Sequence, residues 1–512
     1  MKVQSEIKKN NQFESIFSNL LFHKKESLVK RISNLDEGLL EIYSSGESLA
    51  FLTSLISRVR DESVILIVDT PELSRSLYED CAEFLQNYID VIHVPEIDTH
   101  PMSGLEFDSF SNIERNGAIS KMLDLRNKNF LAITSGLSLS QKTPNLEFLA
   151  NEGTFDSYIG QKIKISEIVN KLSFLGYERT HVVEQSGEFS VRGNLIDVFP
   201  VGNKNPLRID FIGDEIESIR NFDQESQKTI KQVKKASIRV SSQLSLSEKE
   251  SKKMGEGGCL LDIFNQNSIV VINEPQLIEI SIKKYEERFS LNKKDRFTYK
   301  QKDIAERLLK FNKMINIKNL MISNKVGKNF IEVEKIDLKG SNLSSLDPIG
   351  KAVDQIIQYS KDSIVMVASN NIVRIKEKIN EYSANNKDLE KKIFFAKKSI
   401  NNSFGIKIDN GTGIIFLGDH ELFGIKNKIR NFDKSLSKSR KSKLFEKGAL
   451  VVHEDHGISR FIGVTKLEGH GDREYLELHF AEDDKLFVPA DQISRIELYR
   501  GGKENAPNLH RL

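Results

Sequence analysis

The sequence predicts a multidomain α/β protein that ends in a small all-β module, and three observations carry that reading. Between about residues 45 and 140, near-continuous apolar runs alternate with segments of helical period. After about residue 150 the runs become alternating strands joined by short turns. Over the last ~65 residues short strands are separated by turn signals every ~8–12 residues, the spacing of a small β-barrel.

Totals bound the answer before any motif is considered. At roughly 150 residues per domain, a chain of 512 residues is expected to hold three or four domains. Its hydrophobic share of 38% and charged share of 29% suit several modest cores with solvated surfaces. A net charge of +2 gives no global argument for nucleic acid or membrane binding, so any such surface must be local. Cys81 and Cys259 lie far apart in unlike surroundings, which argues against a disulfide framework and for a reducing compartment. The N-terminal "MKVQSEIKKNNQ" lacks an apolar signal core, and no run approaches the ~20 residues of a membrane span. The expected location is the cytoplasm, with no membrane partner.

Taken in order, "SVILIVDT" (63–70) reads as a strand buried on both faces. Pro71 then opens a helix in which Leu73, Leu77, Cys81 and Leu85 recur at helical spacing. "VIHVPEI" and "FLAITSG" repeat the strand signal around a helical "SNIERNGAISKMLDLRNK". One helix near 165–175 leads into "RTHVVEQSGEFSVRGNLIDVFP" and "PLRIDFIGDEIESIRNF", strands with a turn at Gly213-Asp214. The strand "NSIVVIN" and the charged helix "QLIEISIKKYEERF" follow. A further strand-helix-strand unit holds "DSIVMVAS", "NNIVRIKEKINEYS" and "GIIFLGDHELFG". The Lys- and Ser-dense "KNKIRNFDKSLSKSRKSKLFEKG" reads either as a solvated linker or as a nucleic-acid-contacting strap. The last module comprises "ALVVHEDHGISRFIGVTKLE", "REYLELHFAEDDKLFVPA" and a predicted short helix through "QISRIELY".

Catalytic signals are missing. No GxxxxGK[ST] loop occurs, and in the nearest remnant, "YSSGESLAFLTSLI", Glu47 stands where a lysine would meet phosphates. This chain is therefore expected to be non-catalytic, with no cofactor of its own. His453 and His456 in "HEDHG" offer either a metal pair or a polar turn, and no third ligand is evident. In "GEFSVRGNLIDVFP", Phe189 and Val191 share one strand face and Ser190 and Arg192 the other. Gly193 permits a bulge or close backbone approach there, and Arg179 supplies a second guanidinium nearby. The two arginines either pair at the surface with acids such as Glu184 and Glu188 or form a docking face for a protein partner. Leu467 sits near the tip of a hairpin whose edge could receive a partner strand.

Two long motifs resemble one known family. "GEFSVRGNLIDVFPVGNKNPLRIDFIGDEIESIRNFDQESQ" is similar to the stretch shared by UvrB and the bacterial transcription-repair coupling factors (the Mfd family). "GALVVHEDHGISRFIGVTKLE" together with "EYLELHFAEDDKLFVPADQISRIELYRGGKENAPNLHRL" resembles the RNA-polymerase-interacting domain of that family, which CarD-type regulators also carry. The order and spacing match the coupling factors over essentially the whole chain.

The resemblance implies a degenerate RecA-like parallel α/β domain without an ATP site over 1–145 and 208–320, interrupted by an inserted UvrA-binding α+β module over 146–207. It further implies a small α/β domain over 321–424, a basic linker over 425–446 and a Tudor-like, CarD-like barrel over 447–500, with 501–512 beginning a connector. Arg179, Arg192 and Phe199 are the implied UvrA contacts. Lys466, Leu467 and Glu468 are the implied contacts to the β subunit of RNA polymerase. Family members continue into a motor that uses ATP and Mg to translocate on double-stranded DNA, and the sequence stops short of it. Truncation is the expected reason, with a free-standing adaptor or transcription regulator as the alternative.

Overall fold

A computed structural model describes residues 27–97, 109–241, 257–289, 297–319, 330–336, 338, 347–383, 392–396, 400–408, 412–423, 448–453, 456–466, 474–481, 484–489 and 496–499. The chain divides into two compact units, one of residues 1–98 with 108–426 and one of 99–107 with 427–512.

The larger unit begins with helix α1 (Ser27–Ser33) and strand β1 (Gly38–Ser44), then α2 (Leu49–Val59), β2 (Val64–Val68) and α3 (Pro71–Phe84). Thr70 caps α3 by accepting from the Leu73 amide, and Pro71 fills the first turn, where its missing N–H costs nothing. β3 (Asp90–Val94), α4 (Ser109–Asp124), β4 (Phe130–Ser135) and α5 (Gly136–Ser140) complete the alternation expected from the sequence. The same sheet resumes far downstream with β13 (Ile269–Asn273), α8 (Pro275–Phe289), α9 (Gln301–Leu308), β14 (Lys313–Asn319) and β15 (Phe330–Glu332). Its order is β15-β1-β14-β13-β2-β4-β3, with every pair parallel. Because β15 pairs with β1, this sheet extends beyond the expected limit at residue 320.

Both faces of the sheet are covered, so its central strands are apolar throughout. In β2, Val64, Leu66 and Val68 face one core while Ile65 and Ile67 face another. β13 divides in the same way, with Ile269 and Val271 on one side and Val270 and Ile272 on the other. Period-two alternation thus feeds two interiors, as a parallel sheet buried on both sides requires.

Between the two halves lies the inserted module. It contains α6 (Leu146–Ala150), β5 (Thr154–Tyr158), α7 (Ile165–Phe174), β6 (Glu178–Arg179), β7 (Glu188–Arg192) and β8 (Leu195–Val198). It continues with β9 (Leu207–Ile212), β10 (Glu215–Phe222), β11 (Thr229–Val233) and β12 (Lys235–Arg239). β6 through β11 form one sheet in sequential order, and β12 pairs with β5. β8 and β9 are paired from Leu195↔Asp210 to Val198↔Leu207. The expected boundary at 207 would cut between hydrogen-bonded neighbours, so the module runs on through β12.

Two glycines bring this module against α4. A Cβ on Gly117 would meet the Gly202 amide nitrogen at 2.9 Å, and one on Gly202, whose φ is +80°, would meet the Gly117 carbonyl oxygen at 2.6 Å. Only glycine permits that approach. Asn116 donates to the Ser241 carbonyl at 2.8 Å, and Arg239 pairs with Asp124 at 2.6 Å.

The remainder of the larger unit is a second sheet, of β16 (Glu334–Lys335), β17 (Ser363–Ala368), β18 (Ile393–Ala396), β19 (Phe404–Ile408) and β20 (Thr412–Gly418), with helices α10 (Pro348–Ser360), α11 (Ile372–Ser383) and α12 (Asp419–Phe423). β20, β17 and β18 run parallel, while β19 and β16 are antiparallel additions. Phe404 and Phe416 of this sheet stack at 4.6 Å and meet Phe51 of α2 at 5.7 and 5.0 Å. Phe84 of α3 closes on Phe416 at 5.5 Å. Asn401 adds a polar latch, its amide donating to Asp80 at 2.9 Å.

The smaller unit is an antiparallel sheet of β21 (Leu450–His453), β22 (Gly457–Lys466), β23 (Glu474–His479), β24 (Lys485–Pro489) and β25 (Ile496–Leu498), in the order β24-β23-β22-β21-β25. Val451, Phe461, Leu476 and Leu478 are among its core residues. The helix expected through "QISRIELY" is corrected here. Its described part is β25, paired to β21 at Val451↔Leu498, with Ile496 1% exposed. The segment 424–447, which holds most of the basic stretch, lies outside the described residues.

The aromatic cluster sets a stability test. Phe416→Ala is expected to cost roughly 3–5 kcal/mol, and Phe51→Ala should cost less in that background than alone. Urea unfolding followed by circular dichroism checks both, since the chain has no tryptophan.

Candidate functional site

The six-stranded sheet has one face on the core and one face outward. Phe189, Ile196, Ile209 and Ile219 point into the shared core, and the residues between them form the outer face. Register places Ser190, Asp197, Arg208 and Arg220 in one row across β7 to β10. The next row is Arg192, Leu195, Asp210 and Ser218.

Arg192 is the last residue of β7, and the chain turns back at once. Arg192↔Leu195 is the final pair, so Gly193-Asn194 is a two-residue hairpin turn and Gly193 has a φ of +58°. The expected bulge is therefore corrected to a tight hairpin, for which Gly-Asn between alternating apolar residues is a recognised signal. The turn returns Asp197 beneath Arg192. Arg192 Nη2 donates to Asp197 Oδ2 at 2.5 Å. Arg208 grips the same carboxylate with both edges, Nε to Oδ1 at 2.7 Å and Nη2 to Oδ2 at 2.9 Å.

A second cluster lies alongside. Asp210 accepts from Arg220 Nη2 and from Ser218 Oγ, each at 2.5 Å. Arg208 is further fixed by its Nη2 bond to Gln227 Oε1 at 2.8 Å and by stacking 4.4 Å from the Phe222 ring centroid. The bonds to Asp197 raise Arg208 above its ordinary pKa, although partial burial works the other way.

The acids expected as arginine partners do something else. Glu188 accepts from the Glu184 and Gln185 amides at 2.7 and 2.9 Å, which shapes the approach to β7. Burial raises its pKa. Arg179, in β6, is exposed and makes no side-chain hydrogen bond or ion pair among the described residues. Phe199 directly follows β8. It is 6% exposed, and its backbone amide and carbonyl close the strand end against Glu188 and Gly187. Asp197, Arg208, Asp210 and Arg220 were missed in the sequence; the only signal for them is the alternation that puts each beside an outward neighbour.

The other candidate positions are soon located. Lys466 closes β22 at the pair Lys466↔Glu474, and Leu467 and Glu468 lie outside the described residues. His453 is 4% exposed and its ring lies 4.8 Å from that of His456. Among the described residues no group of three or more His, Cys, Asp or Glu side chains is placed to hold a metal. Cys81 and Cys259 are buried free thiols, and burial pushes Cys259 up to about 11.

At the loop after β1, Gly46–Ser48 forms a single 3-10 turn leading into α2. Glu47 lies 3.4 Å from Lys335 Nζ of β16. Burial would raise the Glu47 carboxyl, but its own backbone N–H and Lys335 outweigh that and hold it below its ordinary range. A carboxylate at a helix start satisfies the positive end of the helix. It also opposes the phosphate that a nucleotide loop would cradle there.

Comparison with known proteins bears on both modules. The UvrB interaction domain family matches residues 157–243, and the CarD-like/TRCF RID domain family matches residues 445–500. A transcription-repair-coupling factor from Staphylococcus aureus (strain bovine RF122 / ET3-1) is 25% identical over 69% of this chain and 36% of its own length. One from Bacillus subtilis (strain 168) is 21% identical over 100% of this chain and 48% of its own length. The chain thus spans between about a third and a half of the curated relatives it matches, and the resemblance carried by the two sequence motifs stands. The match at 157–243 encloses β6 to β12, which agrees with a module that continues past 207. No helix among the described residues is long and apolar enough to cross a membrane.

Proposed function

We propose, starting from a chain similar to the transcription-repair-coupling factors, that this protein is an adaptor of transcription-coupled nucleotide excision repair. It joins UvrA to RNA polymerase stalled at damaged DNA. The observation that carries the reading is the presence of both domain matches on one polypeptide, in the order found in the resemblance. The outer face of the inserted sheet is the UvrA-docking surface. Arg192 on that face has a side chain 49% exposed, and Arg179, in register with Phe189 on the edge strand β6, is exposed and unpaired among the described residues. Guanidinium groups so placed suit a carboxylate- or carbonyl-bearing partner. The C-terminal sheet docks the polymerase β subunit, with Leu467 as the apolar contact flanked by Lys466 and Glu468.

The finer fold reading follows. The parallel sheet is a degenerate RecA-like domain, and the C-terminal sheet is a Tudor-like barrel. DNA translocation by ATP hydrolysis belongs to a motor outside this sequence. This chain contributes binding and not hydrolysis, in keeping with Glu47 at the loop after β1.

Three measurements test this. Arg192→Ala should weaken UvrA binding by about 2 kcal/mol or more, roughly 30-fold, while polymerase binding persists. Leu467→Arg should do the reverse. If each substitution weakens both partners equally, or neither, the two sites are misassigned. Differential scanning fluorimetry with ATP and Mg should show an unchanged melting temperature, and a clear shift would refute the inactive-loop reading.

A further inference from the structure

Asp197 is an ionisable residue only 1% exposed, on the sheet face that also carries the half-exposed Arg192. It therefore touches no partner, yet three hydrogen bonds from two arginines converge on it. Arg208 spans both oxygens and is itself held by Gln227 and the Phe222 ring. The carboxylate is thereby fixed as a rigid acceptor, and Arg192 leans on it through one Nη2 bond. The Nε and Nη1 groups of Arg192 have no hydrogen-bond partner among the described residues.

Such an arrangement separates two jobs. Two guanidiniums on one carboxylate leave a net positive charge at the surface, and the buried acid decides where that charge stands. An arginine on a flexible stem loses rotamer freedom when a partner captures it. Held by Asp197, Arg192 meets that loss on folding, so the partner finds a cation already oriented. Breaking one partner of a desolvated charge cluster also leaves the others uncompensated, which makes the carboxylate the most sensitive member.

We infer that Asp197 is a positioning residue for the docking surface: it preorganises Arg192, with Arg208 as its brace, and acts on UvrA only through Arg192. This inference rests on the docking reading above. The test is a double-mutant cycle in the full chain, using Asp197→Asn, Arg192→Ala and both together. Dissociation constants for purified UvrA are read by calorimetry at fixed salt, and binding of the polymerase β subunit serves as the folding control. Asp197→Asn is expected to weaken UvrA about 10-fold alone and less than about 2-fold in the Arg192→Ala background. Multiplying losses would overturn the inference, because a merely structural Asp197 adds its cost whether or not Arg192 is present. Should Asp197→Asn lose its melting transition, the wild type supplies a second measurement. Side-chain ¹⁵Nε relaxation should show Arg192 rigid and unpaired Arg179 mobile, and equal mobility would overturn the inference. Wild-type protein that fails to bind UvrA overturns the docking reading and this inference together. Wild-type binding with a multiplicative cycle overturns this inference alone.

Discussion

The larger unit depends on a parallel sheet that must be buried on both faces. Its central strands send alternate side chains into two separate interiors, and neither interior is closed by the sheet's own helices. On one face α2 and α3 present Phe51 and Phe84, and the second sheet completes that core with Phe404 and Phe416. On the other face α4 presents Ile119 and Met122 to a core shared with the inserted module. Three sheets are therefore one packing problem. The inserted sheet can spend only one face on the core, and the Gly117–Gly202 approach fixes which face that is. What remains outward is a set of charged rows on a rigid support.

The same packing places acids of the protein itself at the strand ends where α/β sheets usually bind ligands. Ligands of open α/β sheets sit outside the carboxyl ends of the strands, at points where the strand order reverses. In the first sheet the loop after β1 holds Glu47, with Lys335 of the neighbouring sheet beside it. In the second sheet the ends of β17 and β20 are joined by Asp419, which is 3% exposed. It accepts from Ser369 Oγ at 2.5 Å and from the Asn370 amide at 3.2 Å. Both crevices contain carboxylates of the protein itself. Acids bound into backbone and side-chain donors stabilise their loops and disfavour an incoming anion.

Much of this fold was legible because period and punctuation are local. The run "VILIV" declared a doubly buried strand, and Thr-Pro declared the start of α3. The errors have a common physical source, which is that pairing is not local. Gly193 looked like a bulge because a hairpin is defined by the strand that returns, and the four-residue β8 is short. The module boundary at 207 failed because nothing in the pattern of β9 says which sheet it joins. Through "QISRIELY", Ile493, Ile496 and Tyr499 offer a helix-like spacing, but Ile496 and its neighbours pair with β21. Arg192 was visible as an anomaly, yet its partner is five residues away across a turn and on the opposite strand. Asp197 reads in sequence as an acid inside an apolar run, and only the register reveals it under two guanidiniums. Phe199 shows the converse, since a strand-end aromatic beside proline gives no sign of which face it takes.

A net charge of +2 over the whole chain is compatible with a strongly charged outer sheet face because the charge there is arranged, not accumulated. The two aspartates of the central rows are matched. Asp197 takes Arg192 and Arg208, while Asp210 takes Arg220 and Ser218. Cross-strand pairing of opposite charges stabilises the sheet by about 0.2–1 kcal/mol for each pair. The more consequential effect is geometric, because each acid fixes the direction of a guanidinium that would otherwise sample many rotamers. In the proposed docking, specificity comes from where the unpaired N–H groups point, and a partner with a matching acceptor gains more than a merely acidic one. A surface built this way needs no excess of basic residues, so composition alone could not have disclosed it.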